Sequence, residues 1–317
     1  MSANPIRHPY RGSGRDRPLA VPLPPEPMPM LQHGRLLKRW RYVSVWSPEL
    51  SLCAGSVTVG LVRQEFWAVW DRGRGVMHEN TRLLATGRGR LPPRWVLVRD
   101  GDVRIDVELD EREGESFEVV TPVGSAYTWT RKQVVRAQGT VRLGSERLRV
   151  EAVALIDDNA GYHPRHTLWK WSGGAGVDTG GRAVAWSVIV GLNDSPQESE
   201  RTLWVEGEPA REVGPVEIAD DLSRVVFADG GQVRFTQEAV RAAGQPVAAA
   251  LLVPPAVRVV QGHSPRRYRV AGGVQRDGVS RRVVVGARRR HTALGLDMDG
   301  VTTEQTESTE MEGLGSV

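Results

Sequence analysis

Cysteine is almost missing: Cys53 is the only one in 317 residues. That excludes an internal disulfide and any cluster of thiolate metal ligands, and leaves Cys53 as a small buried apolar residue. Lysine is nearly as scarce. Lys38, Lys132 and Lys170 stand against a large excess of arginine, which we read as the codon bias of a GC-rich genome. No apolar run reaches the roughly 18 residues of a membrane span. The opening MSANPIRHPYRGSGRDRP lacks the apolar core of a secretory signal. The expectation is a soluble cytoplasmic protein without a membrane span. Also absent are a Gly-x-x-x-x-Gly-Lys phosphate loop, a dinucleotide fingerprint on a βαβ unit and a Gly-x-Ser-x-Gly elbow. No cofactor is expected. The body has no long segment of 3.6-residue period, so it is not a helical protein.

The net charge of +4 does not point to nucleic acid. Residues 245–317 hold 10 arginines and 7 acids, which leaves only +1 on the rest of the chain. A nearly neutral body makes no case for a phosphate-binding surface.

What is present is strand after strand. Residues 42–46, 51–59, 66–70, 103–109, 139–143, 148–156, 184–190, 202–205, 216–218 and 233–235 alternate apolar with polar, rich in β-branched and aromatic side chains. Turn signals recur at short intervals, among them Asp100-Gly101-Asp102, Glu113-Gly114 and Asp229-Gly230-Gly231. The pattern predicts an all-β protein of antiparallel sheets. Closure into barrels is expected, since it removes reactive edges. Up to about sixteen strands exceed one small barrel, so two consecutive barrels or sheets are expected, the second incomplete. The division reads as 1–30, an extended Pro-rich arm; 31–150, a first half; 151–242, a second half carrying the candidate site; and 243–317, an atypical tail of disordered composition. The polyproline-like path of the arm comes from Pro22, Pro24, Pro25, Pro27 and Pro29.

The densest chemistry lies in residues 157–171, DDNAGYHPRHTLWKW. A strand running into Asp157, turn chemistry at 158–161 and a returning strand from Thr167 would place Asp157, Asp158, His163 and His166 at one rim, near a barrel mouth. Trp169 and Trp171, two apart, share a strand face, and Lys170 points the other way. Asp158 in a poorly solvated mouth would have a raised pKa and could serve as general acid, with His163 or His166 returning the proton. Arg165 or Arg131 could hold an anionic group. A ligand would meet Tyr162, Trp169 and Trp171. A second cluster, 127–133, sets Tyr127, Trp129 and Arg131 on one strand face and Thr128, Thr130 and Lys132 on the other. The first three could line the cavity, with Arg131 pairing to Asp158; they equally admit a surface cation–π ladder, as do Arg39, Trp40 and Tyr42. The catalytic candidates could instead be ordinary structure: a turn cap, backbone-bonded histidines and core tryptophans. His163-x-x-His166 with an aspartate is a possible metal set, but Pro164 disfavours the helix that would converge it, and no metal is assigned. The Gly-rich 172–176 reads as a flexible loop, a lid over the mouth.

Several pieces resemble an uncharacterised bacterial family, domain of unknown function 2804 (DUF2804). They are 9–12 (PYRG), 38–42 (KRWRY), 66–71 (FWAVWD), 127–132 (YTWTRK), 158–163 (DNAGYH), 166–172 (HTLWKWS) and 220–223 (DDLS). They run in order over roughly residues 9–240. That family is similar to the lipocalin-like, calycin-type proteins of paired β-barrels, which include hydroxyneurosporene synthase, a carotenoid hydratase, and tocopherol cyclase. The resemblance implies a buried apolar ligand held in a barrel. It stops near residue 243. Back-translated and read one base later, codons from 244 to 280 permit family-like text, so the ending reads as frameshifted; the gene's nucleotide sequence decides this.

Taken together, the expected function is binding of a hydrophobic or amphipathic small molecule. Cofactor-free acid/base chemistry of hydratase, cyclase or isomerase type would be carried by Asp158 with His163 or His166. The alternative is a binding or structural β module without turnover. The partner is a small apolar or amphipathic ligand rather than nucleic acid.

Overall fold

The computed structural model describes residues 6–15, 17, 20–83, 89–164, 166–177, 181–220, 224–228, 232–234, 236–240, 257–264 and 280–292. Every regular element among them is a strand, and every pairing is antiparallel. Three short strands lead in: β1 (Tyr10–Gly12), β2 (Leu31–Gln32) and β3 (Arg35–Leu36). The body follows with β4 (Lys38–Trp46), β5 (Leu50–Val59), β6 (Val62–Asp71), β7 (Val76–Leu83), β8 (Gly89–Arg90), β9 (Trp95–Asp100), β10 (Val103–Leu109), β11 (Ser116–Val123), β12 (Ala126–Leu143) and β13 (Glu146–Gly161). Then come β14 (His166–Val177), β15 (Ala183–Val190), β16 (Thr202–Val205), β17 (Arg211–Glu212), β18 (Val216–Ile218), β19 (Arg224–Phe227) and β20 (Gln232–Arg234). The last are β21 (Thr236–Val240), β22 (Val257–Ser264) and β23 (Ser280–Thr292).

The first sheet runs β7-β6-β5-β4-β13-β12-β10-β9-β8, with β11 on β12 and β1 on β11. The second runs β17-β16-β15-β14-β23-β22-β21, beside a small β18-β19-β20 sheet. The all-β class and the two consecutive antiparallel sheets are as the sequence predicts. Closure is not: neither sheet joins its edges by backbone hydrogen bonds among the described residues. The first sheet is nonetheless tied across its open seam. Trp67 Nε1 of β6 donates to Asp100 Oδ2 of β9 at 3.0 Å, Asn80 Nδ2 of β7 donates to the same oxygen at 2.7 Å, and Arg82 of β7 pairs with Asp100. Burial works to raise the Asp100 pKa, but these hydrogen bonds and the Arg82 charge outweigh it and hold the carboxyl below its ordinary value. Side chains thus replace a backbone ladder at the seam.

The division expected at residue 150 falls inside β13. Because β13 pairs with both β12 and β4, it belongs to the first sheet, and the second begins at β14. The strands β22 and β23 lie within the atypical 243–317 segment; its other residues are outside those described.

Strand alternation sorts the first sheet into two faces. The inner face buries Val43, Val45, Leu52, Val69, Val96, Ile105, Val107, Val141 and Ile156 in one apolar core. The outer face carries Tyr42, Trp46, Leu155, Val119 and Phe117 against Trp169, Trp171, Ile189 and Trp204 of the second sheet. A third core anchors the N-terminal arm: Ile6, Leu23 and Met28 pack on Val120, Tyr127, Trp129 and Tyr162.

The Gly-rich 172–176 is no lid. It lies within β14, paired to β15 throughout. A Cβ on Gly173 would meet the Trp171 ring at 2.4 Å, and one on Gly174 the Trp186 ring at 2.3 Å. The glycines leave room for two indoles to lie on the strand. Gly174→Ala is therefore expected to lower the unfolding free energy by about 1–3 kcal/mol through overpacking. Urea denaturation would show it, and an unchanged midpoint would contradict this packing role.

Candidate functional site

The strands β4, β13 and β12 lie side by side, and their register decides which polar groups meet. Arg41 of β4, Asp158 of β13 and Arg131 of β12 are direct cross-strand neighbours. They project from the inner face, one rung beyond the apolar core at Val43 and Ile156. Arg41 Nη1 donates to both Asp158 oxygens, at 3.0 and 2.9 Å, and Arg131 Nη1 stands 3.6 Å away. Arg41 also pairs with Glu111. Burial pushes the Asp158 pKa above its ordinary value, against the pull of Arg41 and Arg131. Next along the rung, Glu118 of β11 receives the Trp129 indole N–H at 2.7 Å and Arg17 Nε of the arm at 2.5 Å.

These groups line the mouth of the curled first sheet, an open cleft of about 1070 Å³. Arg39, Arg41, Arg63 and Arg131 give it charge; Trp129, Leu91 and Pro92 give it apolar wall. The arm closes one side with Ser13, Gly14, Arg17 and residues 24–27. Asp158 and Arg131 therefore meet at a mouth, as the sequence predicts, and Trp129 shares their face.

Other expected members of the site go elsewhere. Residues 158–161 are not a turn. They complete β13, with both neighbouring strands supplying their backbone partners, so Asp157 and Asp158 project from opposite faces. His163 does not face Asp158. Its Nε2 lies 3.0 Å from Asn159 Oδ1, and its ring sits 5.0 Å from that of Trp40. Burial, then the nearby charges of Lys38 and Arg35, push the His163 pKa down to about 3, so the ring is neutral. Tyr127 and Tyr162 are buried under the arm. Their hydroxyls donate to Pro22 O at 2.9 Å and Pro29 O at 2.7 Å, which straps the arm to the sheet. Trp169 and Trp171 do share a face, but it is the one packed between the sheets. Lys170 points away and bonds Ile218 O at 3.0 Å. His166 opens β14; its side chain, and Arg165 entirely, lie outside the described residues.

Between the sheets lies a second constellation with little signature in the sequence. Lys132 Nζ donates to Asp157 Oδ2 at 2.7 Å and stands 3.5 Å from Glu200 Oε1. Glu200 also receives Asn193 Nδ2 at 3.2 Å. Burial tends to lower the Lys132 pKa, but the two carboxylates more than offset it and hold the ammonium charged. Burial raises Glu200. A cavity of about 50 Å³ beside them is walled by Tyr42, Phe66, Trp169 and Trp171, and Asp157 Oδ1 is buried there without a hydrogen-bond partner among the described residues. That space suits a water rather than a substrate. Glu200 sits in a polar loop, and no sequence period marks it. Glu118 is more visible, as the single charge in the otherwise uncharged strand β11. Among the described residues, no group of three or more His, Cys, Asp or Glu is placed to hold a metal ion. No helix among them is long and apolar enough to cross a membrane.

Residues 91–219 match the family model described as Domain of unknown function (DUF2804), which bears out the resemblance read from the motifs. No curated protein matches the chain in sequence. Among solved structures, an AttH protein from Nitrosomonas europaea is similar over 85% of this chain and 99% of its own, at 15% identity and a TM-score of 0.46. Kievitone hydratase from Nectria haematococca is similar over 80% of this chain and 88% of its own, at 9% identity and a TM-score of 0.49. CghA, in complex with Sch210972, covers 81% of this chain and 88% of its own, at 10% identity and a TM-score of 0.36. At these scores the likenesses carry no argument about substrate or mechanism.

Proposed function

We propose that the mouth of the curled first sheet binds an amphipathic small molecule in the cytoplasm, and that Asp158 on its floor performs cofactor-free proton transfer of hydratase, cyclase or isomerase type. The observation that carries this is the cleft itself. Its volume of about 1070 Å³ admits a lipid- or terpenoid-sized body, and polar groups converge on one apolar-walled side. The upward shift of Asp158 keeps a fraction of the carboxyl protonated closer to neutral pH than an exposed aspartate. In an isomerisation the acid donates its proton to one carbon of a double bond and recovers a proton from a neighbouring carbon. In a hydration the recovered proton comes from the attacking water. Either way one carboxyl suffices, and His163, on the opposite face, has no part in the step.

A binding module without turnover is the second reading. The two Arg41 contacts to Asp158 favour it, because they stabilise the carboxylate against protonation.

Native mass spectrometry of the freshly purified protein should reveal a bound apolar or amphipathic molecule. With that molecule as substrate, Asp158→Asn should lower turnover by about 10²–10⁴-fold while its binding changes little. Full activity in the variant would remove Asp158 from the chemistry. Conversion by neither protein, with binding intact, would establish the carrier reading.

A further inference from the structure

The register of the first sheet sorts the mouth into two rungs of very different charge. The inner rung reads Glu65, Ser56, Arg41, Asp158, Arg131, Glu118 across β6, β5, β4, β13, β12 and β11. Its charges alternate, so each arginine has an acid beside it. The outer rung reads Arg63, Thr58, Arg39, Ala160, Trp129, Val120 over the same strands. It holds two arginines and no acid. Arg63 is satisfied by Glu65 at 2.6 Å. Arg39 is exposed, lines the cleft, and has no carboxylate within ion-pair distance among the described residues.

We infer that Arg39 is the anion anchor of the site, and that the ligand is an amphipathic monocarboxylic acid whose carboxylate pairs with Arg39 while its body lies along Leu91, Pro92 and the prolines of the arm. This rests on the reading of the mouth as a ligand site and names its substrate class. Ala160 and Trp129 are buried in the core that anchors the arm, whereas Arg39 is exposed to the cleft. The planar guanidinium matches a carboxylate in two parallel hydrogen bonds. A dianion such as a phosphate monoester is disfavoured. Among the described lining residues only one cation is unspent, and Asp158 and Glu118 on the neighbouring rung repel added negative charge. Leu91, Pro92 and the prolines of the arm supply apolar surface for a hydrocarbon body.

Fluorescence titration with dansyl-labelled undecanoic acid and with its methyl ester tests this on the full-length protein. The acid should bind about tenfold or more tightly than the ester at neutral pH. Arg39→Gln should erase that preference by weakening the acid alone, and Arg39→Lys should restore part of it. Equal binding of acid and ester to the wild type would overturn the anion anchor while leaving the mouth as a ligand site. A preference that survives in Arg39→Gln would place the anchor elsewhere and overturn the assignment. If neither probe binds, the reading of the mouth as a site for such molecules fails, and the anchor with it.

Discussion

Replacing Lys132 by methionine is expected to cost about 3–5 kcal/mol of unfolding free energy, the usual consequence of stripping one partner from a buried ion pair. Lys132 is 1% exposed and is the cation facing both Asp157 and Glu200 between the sheets. Without it two carboxyls remain in an apolar, aromatic setting. They can persist only by taking up protons, so their folded-state pKa values would rise above those of the unfolded chain. Groups raised in that way lose stability as pH increases. The deficit of the variant should therefore be larger at pH 8 than at pH 5. A triple variant, Lys132→Met with Asp157→Asn and Glu200→Gln, should recover much of the loss, since neutral groups of similar shape carry no such burden. Urea denaturation at the two pH values measures all of this. A loss below about 1 kcal/mol for Lys132→Met would mean that the three charges are effectively solvated.

Acid should destabilise the wild-type protein through His163. In the folded state its pKa is held near 3 by burial, whereas an unfolded histidine titrates near 6.5. Between those values the unfolded chain binds the proton that the folded chain refuses. The contribution is fully present above pH 6.5 and is lost progressively as pH falls toward 3. From pH 6.5 to 4.5 the loss attributable to this one ring is about 2–3 kcal/mol. His163→Gln, whose amide can still donate to Asn159, should flatten that part of the stability profile while lowering stability at pH 7.5 only modestly. An unchanged slope in the variant would show that the ring is protonated in the folded protein or is open to water. Carboxylates such as Asp100 add their own acid dependence, which is why the difference between the two proteins is the quantity to compare.

Much of the scaffold could be read from alternation. In β10, Val103, Ile105, Val107 and Leu109 are buried, while Arg104, Asp106 and Glu108 are only partly so. In β12, Tyr127, Trp129 and Arg131 do separate from Thr128, Thr130 and Lys132. What alternation cannot supply is which face looks into the mouth and which into the sheet–sheet core. That depends on register, and a slip of one residue exchanges the faces. Asp157 and Asp158 show the consequence. Adjacent in sequence, they serve different places: one a buried charge cluster, the other the floor of the cleft. The turn read at 158–161 failed for a related reason. Asp, Asn and Gly favour turns in isolation. Here β4 and β12 pair with the segment on both sides, Arg41 and Arg131 pair with Asp158, and Thr130 accepts a hydrogen bond from Asn159. Gly173 and Gly174 misled similarly, because the rings of Trp171 and Trp186 occupy the space their missing side chains leave. Tyr127 and Tyr162 were legible as important aromatics, but their hydroxyl partners are backbone carbonyls of the arm, more than a hundred residues away. No local pattern reports such a partner.

The most direct test of the account is a co-crystal structure with dansyl-labelled undecanoic acid. We predict electron density for the probe in the mouth of the first sheet, its carboxylate on Arg39 and its chain along Leu91 and Pro92. An empty mouth with the probe seated elsewhere, for example between the sheets beside Trp169 and Trp171, would contradict it.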